Sequence, residues 1–173
     1  MEDIKKEFDH LAEQGEQRSK RYMSLLPNSD DVVLVTLKGH LIIEEILFAI
    51  AAVHFADPIW LQKARLRFAQ LVPLVRGLIH VPIPDEIWEM ALKINSLRNS
   101  IAHNLEPKDI SSQIKQLIAT VKDKDGNLKW YDPKSDAEGL RWVVSYVMGG
   151  LSIIDLVNKF IEKNRKIELG ESK

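Results

Sequence analysis

The chain has 173 residues, 45% hydrophobic and 28% charged, with 24 Lys and Arg against 25 Asp and Glu for a formal charge of −1. That is the profile of one globular domain whose core needs no disulfide or structural metal. It contains no cysteine, which excludes a disulfide scaffold, a thiol nucleophile, an iron-sulfur cluster and every thiolate zinc site. Near-neutral total charge argues against a protein that coats nucleic acid by bulk electrostatics. The longest uninterrupted apolar run, Ile46 to Val53, has eight residues, too few to span a bilayer. The mixed-charge start Met1-Glu2-Asp3-Ile4-Lys5-Lys6-Glu7 is followed by no apolar leader, so the expected location is the cytoplasm, without a membrane partner.

Apolar residues at three- and four-residue steps, Ile4, Phe8 and Leu11 among charged neighbours, predict a first helix to about Leu25. Pro27-Asn28-Ser29-Asp30 ends it. Asp30 or Asp31 caps a second helix, whose apolar positions from Val32 to Phe55 are dense enough to make it the most buried element. Asp57-Pro58 breaks the pattern. A third helix is predicted over Trp60 to Arg76, with Pro73 near its last turn and Gly77 at its end. Beyond the extended Pro82-Ile83-Pro84 connector, a fourth runs from Pro84 or Asp85 to near Asn104, because Pro107 follows closely. A short fifth covers Asp109 to Val121. Residues 122–131, centred on Asp125-Gly126, read as a tight turn or one small hairpin, the one strand signal in the chain. Asp136 opens a last long helix to about Lys166, and its Gly149-Gly150 pair predicts close helix approach within the bundle or across a dimer. The expected fold is all-α, a single-domain bundle of five to six helices over residues 1–173 with its core at about 31–166.

Charge is unevenly spread. Pro58 to Ile83 carries Lys63, Arg65, Arg67 and Arg76 with no acid, while residues 31–57 carry a net −3. The predicted third helix is therefore the basic face and a candidate contact for an RNA backbone, although a solvated helix face explains the same charges. Trp60, Trp88, Trp130 and Trp142 fall where core packing or an interface is the ordinary use, with Trp130 also able to stack on a base.

The most informative stretch is Leu97-Arg98-Asn99-Ser100-Ile101-Ala102-His103-Asn104, at the C-terminal end of the fourth helix. Five residues separate Arg98 and His103 by ~140° around an ideal helix and about 7.5 Å along it, whereas Asn99 and His103 share a face. One chain presents the pair awkwardly. Two copies meeting about a two-fold axis would line one cleft with two arginines and two histidines. A histidine suits general acid–base work on a ribose 2′-hydroxyl or a leaving oxygen, and a guanidinium suits the non-bridging phosphate oxygens. Asn99 would orient the imidazole or the phosphate. The same residues also suit a plain helix end, His103 favouring the dipole and Asn104 the cap.

In Arg98, the polar Asn99 and His103 four intervening residues after the arginine, the chain resembles the HEPN superfamily of helical proteins. The resemblance implies a compact helical fold over roughly Asp31 to Lys166. It also implies a metal-independent endoribonuclease that builds its site from two motifs in a homodimer, with Arg98, Asn99 and His103 catalytic and no cofactor. Many members of that family belong to toxin-antitoxin or phage-defence systems, which makes RNA the implied substrate and an antitoxin protein an implied partner. In its order of helices and its Arg-rich third helix the chain is also similar to regulators of the mannitol-operon-repressor type. That similarity implies the alternative, a non-catalytic module acting through protein partners.

His40 and Glu44 form a second constellation, one turn apart on a helix otherwise packed with Leu, Ile and Val. Polar groups there need partners. The expectation is that they reach the fourth helix and support His103 or Arg98, or else satisfy one another in the core; two further ligands would be needed for a metal, and nothing signals them.

Overall fold

Asp31 marks where the most buried helix begins, although the core already takes in Tyr22 and Leu26 before it, earlier than the expected start at about residue 31. Its backbone is extended and its carboxylate accepts the Leu34 N–H at 3.0 Å, satisfying one of the donors that every helix start leaves open. The helix it caps, α2 (Val32–Ala52), buries Val35, Ile42, Ile43, Ile46, Leu47 and Ile50. Fully burying each such side chain contributes about 1.5–3 kcal/mol.

The structure, a computed structural model, describes residues 2–79, 81–104, 109–120 and 133–168. Among the described residues the chain is all-helical: α1 (Glu2–Leu25), α2, α3 (Ile59–Lys63), α4 (Phe68–Leu78), α5 (Asp85–His103), α6 (Ile110–Thr120) and α7 (Asp136–Glu168). The expected all-α class holds. Seven helices replace the expected five to six because the segment read as one helix from Trp60 to Arg76 is two. Arg65 takes φ 48° between them, a left-handed conformation that no α-helix continues through. The Gln70 side chain then accepts the Arg67 N–H at 3.0 Å and restarts the helix. The small hairpin expected at 122–131 lies outside the described residues.

α2 and α7 run parallel. Arg141 donates to the Ser29 carbonyl, Gly39 faces Val144, and the Asn158 side chain donates to the Ile50 carbonyl, so the contacts advance together along both helices. Gly39 permits this approach, since a Cβ there would lie 2.8 Å from Val144 Cγ2. α5 runs the opposite way, with Asn95 opposite His40 and Ile87 under Gly150. Its C-terminus therefore lies at the end of the bundle where α2 begins. α1 is antiparallel to α7 through the pairs Glu7–Lys163 and Arg18–Asp155, at 2.7 and 2.9 Å. α6 packs on α5 and α7, and α4 on α2 and α5.

α7 is long and apolar enough by length and composition to cross a membrane over Asp136–Arg165, with 44% of its apolar 18-residue window buried. The packing accounts for its composition, since α1, α2, α5 and α6 all rest on it. Its far end carries a buried polar cluster. Asn158 contacts His54 Nε2, Glu162 lies 3.5 Å from His54 Nδ1 and 2.9 Å from the Arg165 guanidinium, and Asp155 pairs with Lys159 and Arg18. Of the Gly149-Gly150 pair, Gly150 meets α5 within the bundle, whereas Gly149 faces open space beside exposed Tyr146 and Ile153.

Candidate functional site

α5 owes its position to Ile87, Trp88, Met90, Ala91, Ile94 and Leu97, a three- and four-residue stripe buried against α2, α4 and α7. Burying that stripe leaves the rest of the last two turns at the surface. Arg98 and Asn99 are half-buried and His103 is exposed. The Asn104 side chain donates to the Ser100 carbonyl at 2.8 Å and so satisfies one of the acceptors that the helix end leaves open.

Arg98 Nη1 donates to Asn99 Oδ1 at 3.0 Å. Among the described residues this is the arginine's one hydrogen bond, and it takes part in no ion pair. A guanidinium carries five N–H donors in a fixed fork, so most of its donor capacity remains for an oxyanion. No contact joins Arg98 to His103 within one chain, in keeping with their angular separation.

His40 does reach the helix that carries the motif, but one turn earlier than Arg98. Its Nε2 donates to Asn95 Oδ1 across 3.1 Å, and its ring lies 4.4 Å from that of Phe68, the first residue of α4. The imidazole is 6% exposed. Burial pushes its pKa below the ordinary histidine value; the Asn95 bond and the Glu44 carboxylate push the other way, and the Arg98 charge adds to the lowering. His40 is therefore a neutral imidazole at pH 7, holding Asn95 in place. Glu44, half-buried one turn further on, acts on His40 through its charge, and its carboxylate makes no hydrogen bond among the described residues.

Sequence reasoning passed over Asn95. Its signal was there: Asn95, Asn99 and His103 stand at four-residue steps, a polar line along a helix whose opposite side is Ile, Leu and Ala. The structure thus pairs His40 with Asn95 near the middle of α2 and α5, one turn before the Arg98–Asn99 pair, with His103 at the exposed tip.

The four basic residues expected to share a helix face do not. Lys63 ends α3, Arg65 lies in the turn and Arg67 precedes α4, all exposed. Arg76 sits in the last turn of α4, paired with Asp85 at 2.6 Å. Trp60, expected in a core or an interface, is 63% exposed, with Lys63 Nζ 4.4 Å from its ring centre. No group of three or more His, Asp or Glu among the described residues is placed to hold a metal ion.

Compared with known protein families, with curated proteins and with solved structures, the chain matches none.

Proposed function

We propose that the chain is a metal-independent endoribonuclease of the HEPN type, acting in the cytoplasm as a homodimer whose cleft combines the ends of two α5 helices. The reading rests on one observation above the others: a half-buried arginine whose side chain makes a single hydrogen bond and no ion pair among the described residues, five residues before an exposed histidine on the same helix. His103 takes the proton from a ribose 2′-hydroxyl, or delivers one to the departing 5′-oxygen; its counterpart on the second chain does the other. The 2′-oxygen bonds to phosphorus as the bond to the 5′-oxygen breaks, leaving a 2′,3′-cyclic phosphate. Arg98 binds the non-bridging oxygens as charge builds on them, and Asn99 holds the guanidinium. Asn95, fixed by His40, supports that face from one turn below. A toxin or defence role, with an antitoxin as partner, is part of the same proposal.

The test incubates labelled RNA with the purified chain in EDTA, beside His103→Ala and Arg98→Ala. Cleavage by the parent that both substitutions abolish supports the reading; equal background in all three sinks it. Sedimentation at micromolar concentration is the second check, since a chain that is only monomeric has no composite cleft.

One observation favours the alternative, a non-catalytic regulator acting through protein partners. Trp142, Tyr146, Gly149 and Ile153 follow one line along α7, and Ile153 is 65% exposed, which suits a protein partner. Equal background in the cleavage assay, with a partner held by this line, would select it.

A further inference from the structure

The segment from Ile59 to Arg67 breaks two ordinary rules of protein surfaces. It displays the largest aromatic side chain in the open, and it follows that side chain with three basic residues and no acid among them. Trp60 is 63% exposed on a five-residue helix whose Leu61 is the residue that anchors it in the core. Lys63 lies over the indole face, 4.4 Å from Nζ to the ring centre. Arg65 and Arg67 follow, both exposed, and none of the three takes part in an ion pair among the described residues. Arg76, the other arginine of this region, is paired with Asp85 and lies a full helix away. The carboxylate just before the segment, Asp57, accepts the Ile59 N–H at 3.0 Å.

The segment also points somewhere. Arg67 adjoins Phe68, whose ring packs on His40, and His40 is bonded to Asn95, one turn before Arg98 and Asn99. Along the chain the order is Trp60, Lys63, Arg65 and Arg67, and the buried Phe68–His40–Asn95 contacts tie the end of this segment to the helix that carries Arg98. We propose that this strip docks single-stranded RNA and feeds it to Arg98 and His103, with a base stacked on Trp60 and phosphates held by Lys63, Arg65 and Arg67. The strip rests on the RNA reading of the α5 site and adds the substrate class. An exposed indole offers a π-face that an unstacked base can cover, and cations without ion pairs close to it in sequence suit the phosphates of the same strand. Duplex RNA hides its base faces and cannot use Trp60.

The test measures binding in the cleavage-silent His103→Ala chain, by fluorescence anisotropy with a labelled 15-nucleotide oligouridylate in EDTA and low salt. Adding Trp60→Ala weakens binding roughly 5- to 150-fold, the range for losing one stacked base, whereas Trp60→Phe retains most of it. Replacing Lys63, Arg65 and Arg67 together by Gln lowers the log–log salt slope by about 2. A blunt duplex competes poorly. Because binding is read without cleavage, the two readings fail separately: a parent that binds RNA through Trp60 but never cuts keeps the strip and loses the nuclease. The strip is overturned if the oligouridylate does not bind, if Trp60→Ala binds as well as its parent, or if Trp60→Ala changes the sedimentation of the chain and leaves RNA binding intact. The last result would assign Trp60 to a protein interface.

Discussion

His40 Nε2 donates to Asn95 Oδ1 across 3.1 Å, and this bond ties the most buried helix to the helix that carries Arg98 and His103. It places the site on two packed elements, so the last turns of α5 inherit the rigidity of the core.

Removing the acceptor leaves a buried N–H without a partner. Asn95→Leu is expected to destabilise the fold by about 1–3 kcal/mol, read as a lower urea midpoint at unchanged slope. Adding His40→Leu recovers part of that loss, because the two residues share one bond and their effects are not additive. A double variant no more stable than Asn95→Leu would contradict this.

The same histidine gives stability a pH dependence of definite sign. Its folded pKa lies below the unfolded value of about 6.5, chiefly because it is buried. The unfolded chain then binds a proton that the folded chain refuses. Stability is full above about 6.5, falls as the pH drops from there through the folded pKa, and levels off below it. In His40→Gln this part of the fall disappears. Parallel stability–pH curves for parent and variant between pH 7 and pH 5 would refute the assignment.

Two glycines of the bundle predict opposite responses to the same change. At Gly39 a Cβ would lie 2.8 Å from Val144 Cγ2 and 3.0 Å from its Cγ1. A β-branched side chain cannot swing aside, so Gly39→Ala costs about 1–3 kcal/mol. At Gly149 nothing lies within 4 Å, and Gly149→Ala gains about 0.5–1 kcal/mol of helix propensity. Thermal melts of the two variants test the pair.

At the far end of α7, Asn158 is 1% exposed and its amide group meets His54 Nε2 and the Ile50 carbonyl. Asn158→Ala is expected to cost about 1–3 kcal/mol by leaving both without a partner. This cluster involves none of the groups placed in the RNA site. The variant, folded at low temperature, is therefore expected to bind oligouridylate as its parent does.

Much of this arrangement is legible in local sequence. Asp31 caps α2 as its position predicts, and Pro84 and Asn104 bracket α5 as expected. These are local signals, carried by side chains that act within one turn. The break after Lys63 has no such signal: neither Gly nor Pro stands in Ala64-Arg65-Leu66-Arg67, and the left-handed Arg65 accompanies the burial of Leu61 and Phe68 on either side. The His40–Asn95 bond spans 55 residues. Periodicity identifies His40 as a polar group needing a partner and cannot say which residue of the neighbouring helix supplies it. The exposure of Trp60 is likewise tertiary, since it follows from how a five-residue helix is seated.

The measurement that bears most directly on the nuclease reading is the end group of the cleaved RNA. Labelled RNA incubated with the parent in EDTA is predicted to yield fragments ending in 2′,3′-cyclic phosphate, at a rate that His103→Ala lowers at least about 100-fold, the scale of a lost general acid or base. Equal rates for parent and His103→Ala, or fragments ending in a 3′-hydroxyl, would contradict the assignment of His103 and Arg98 to phosphodiester cleavage.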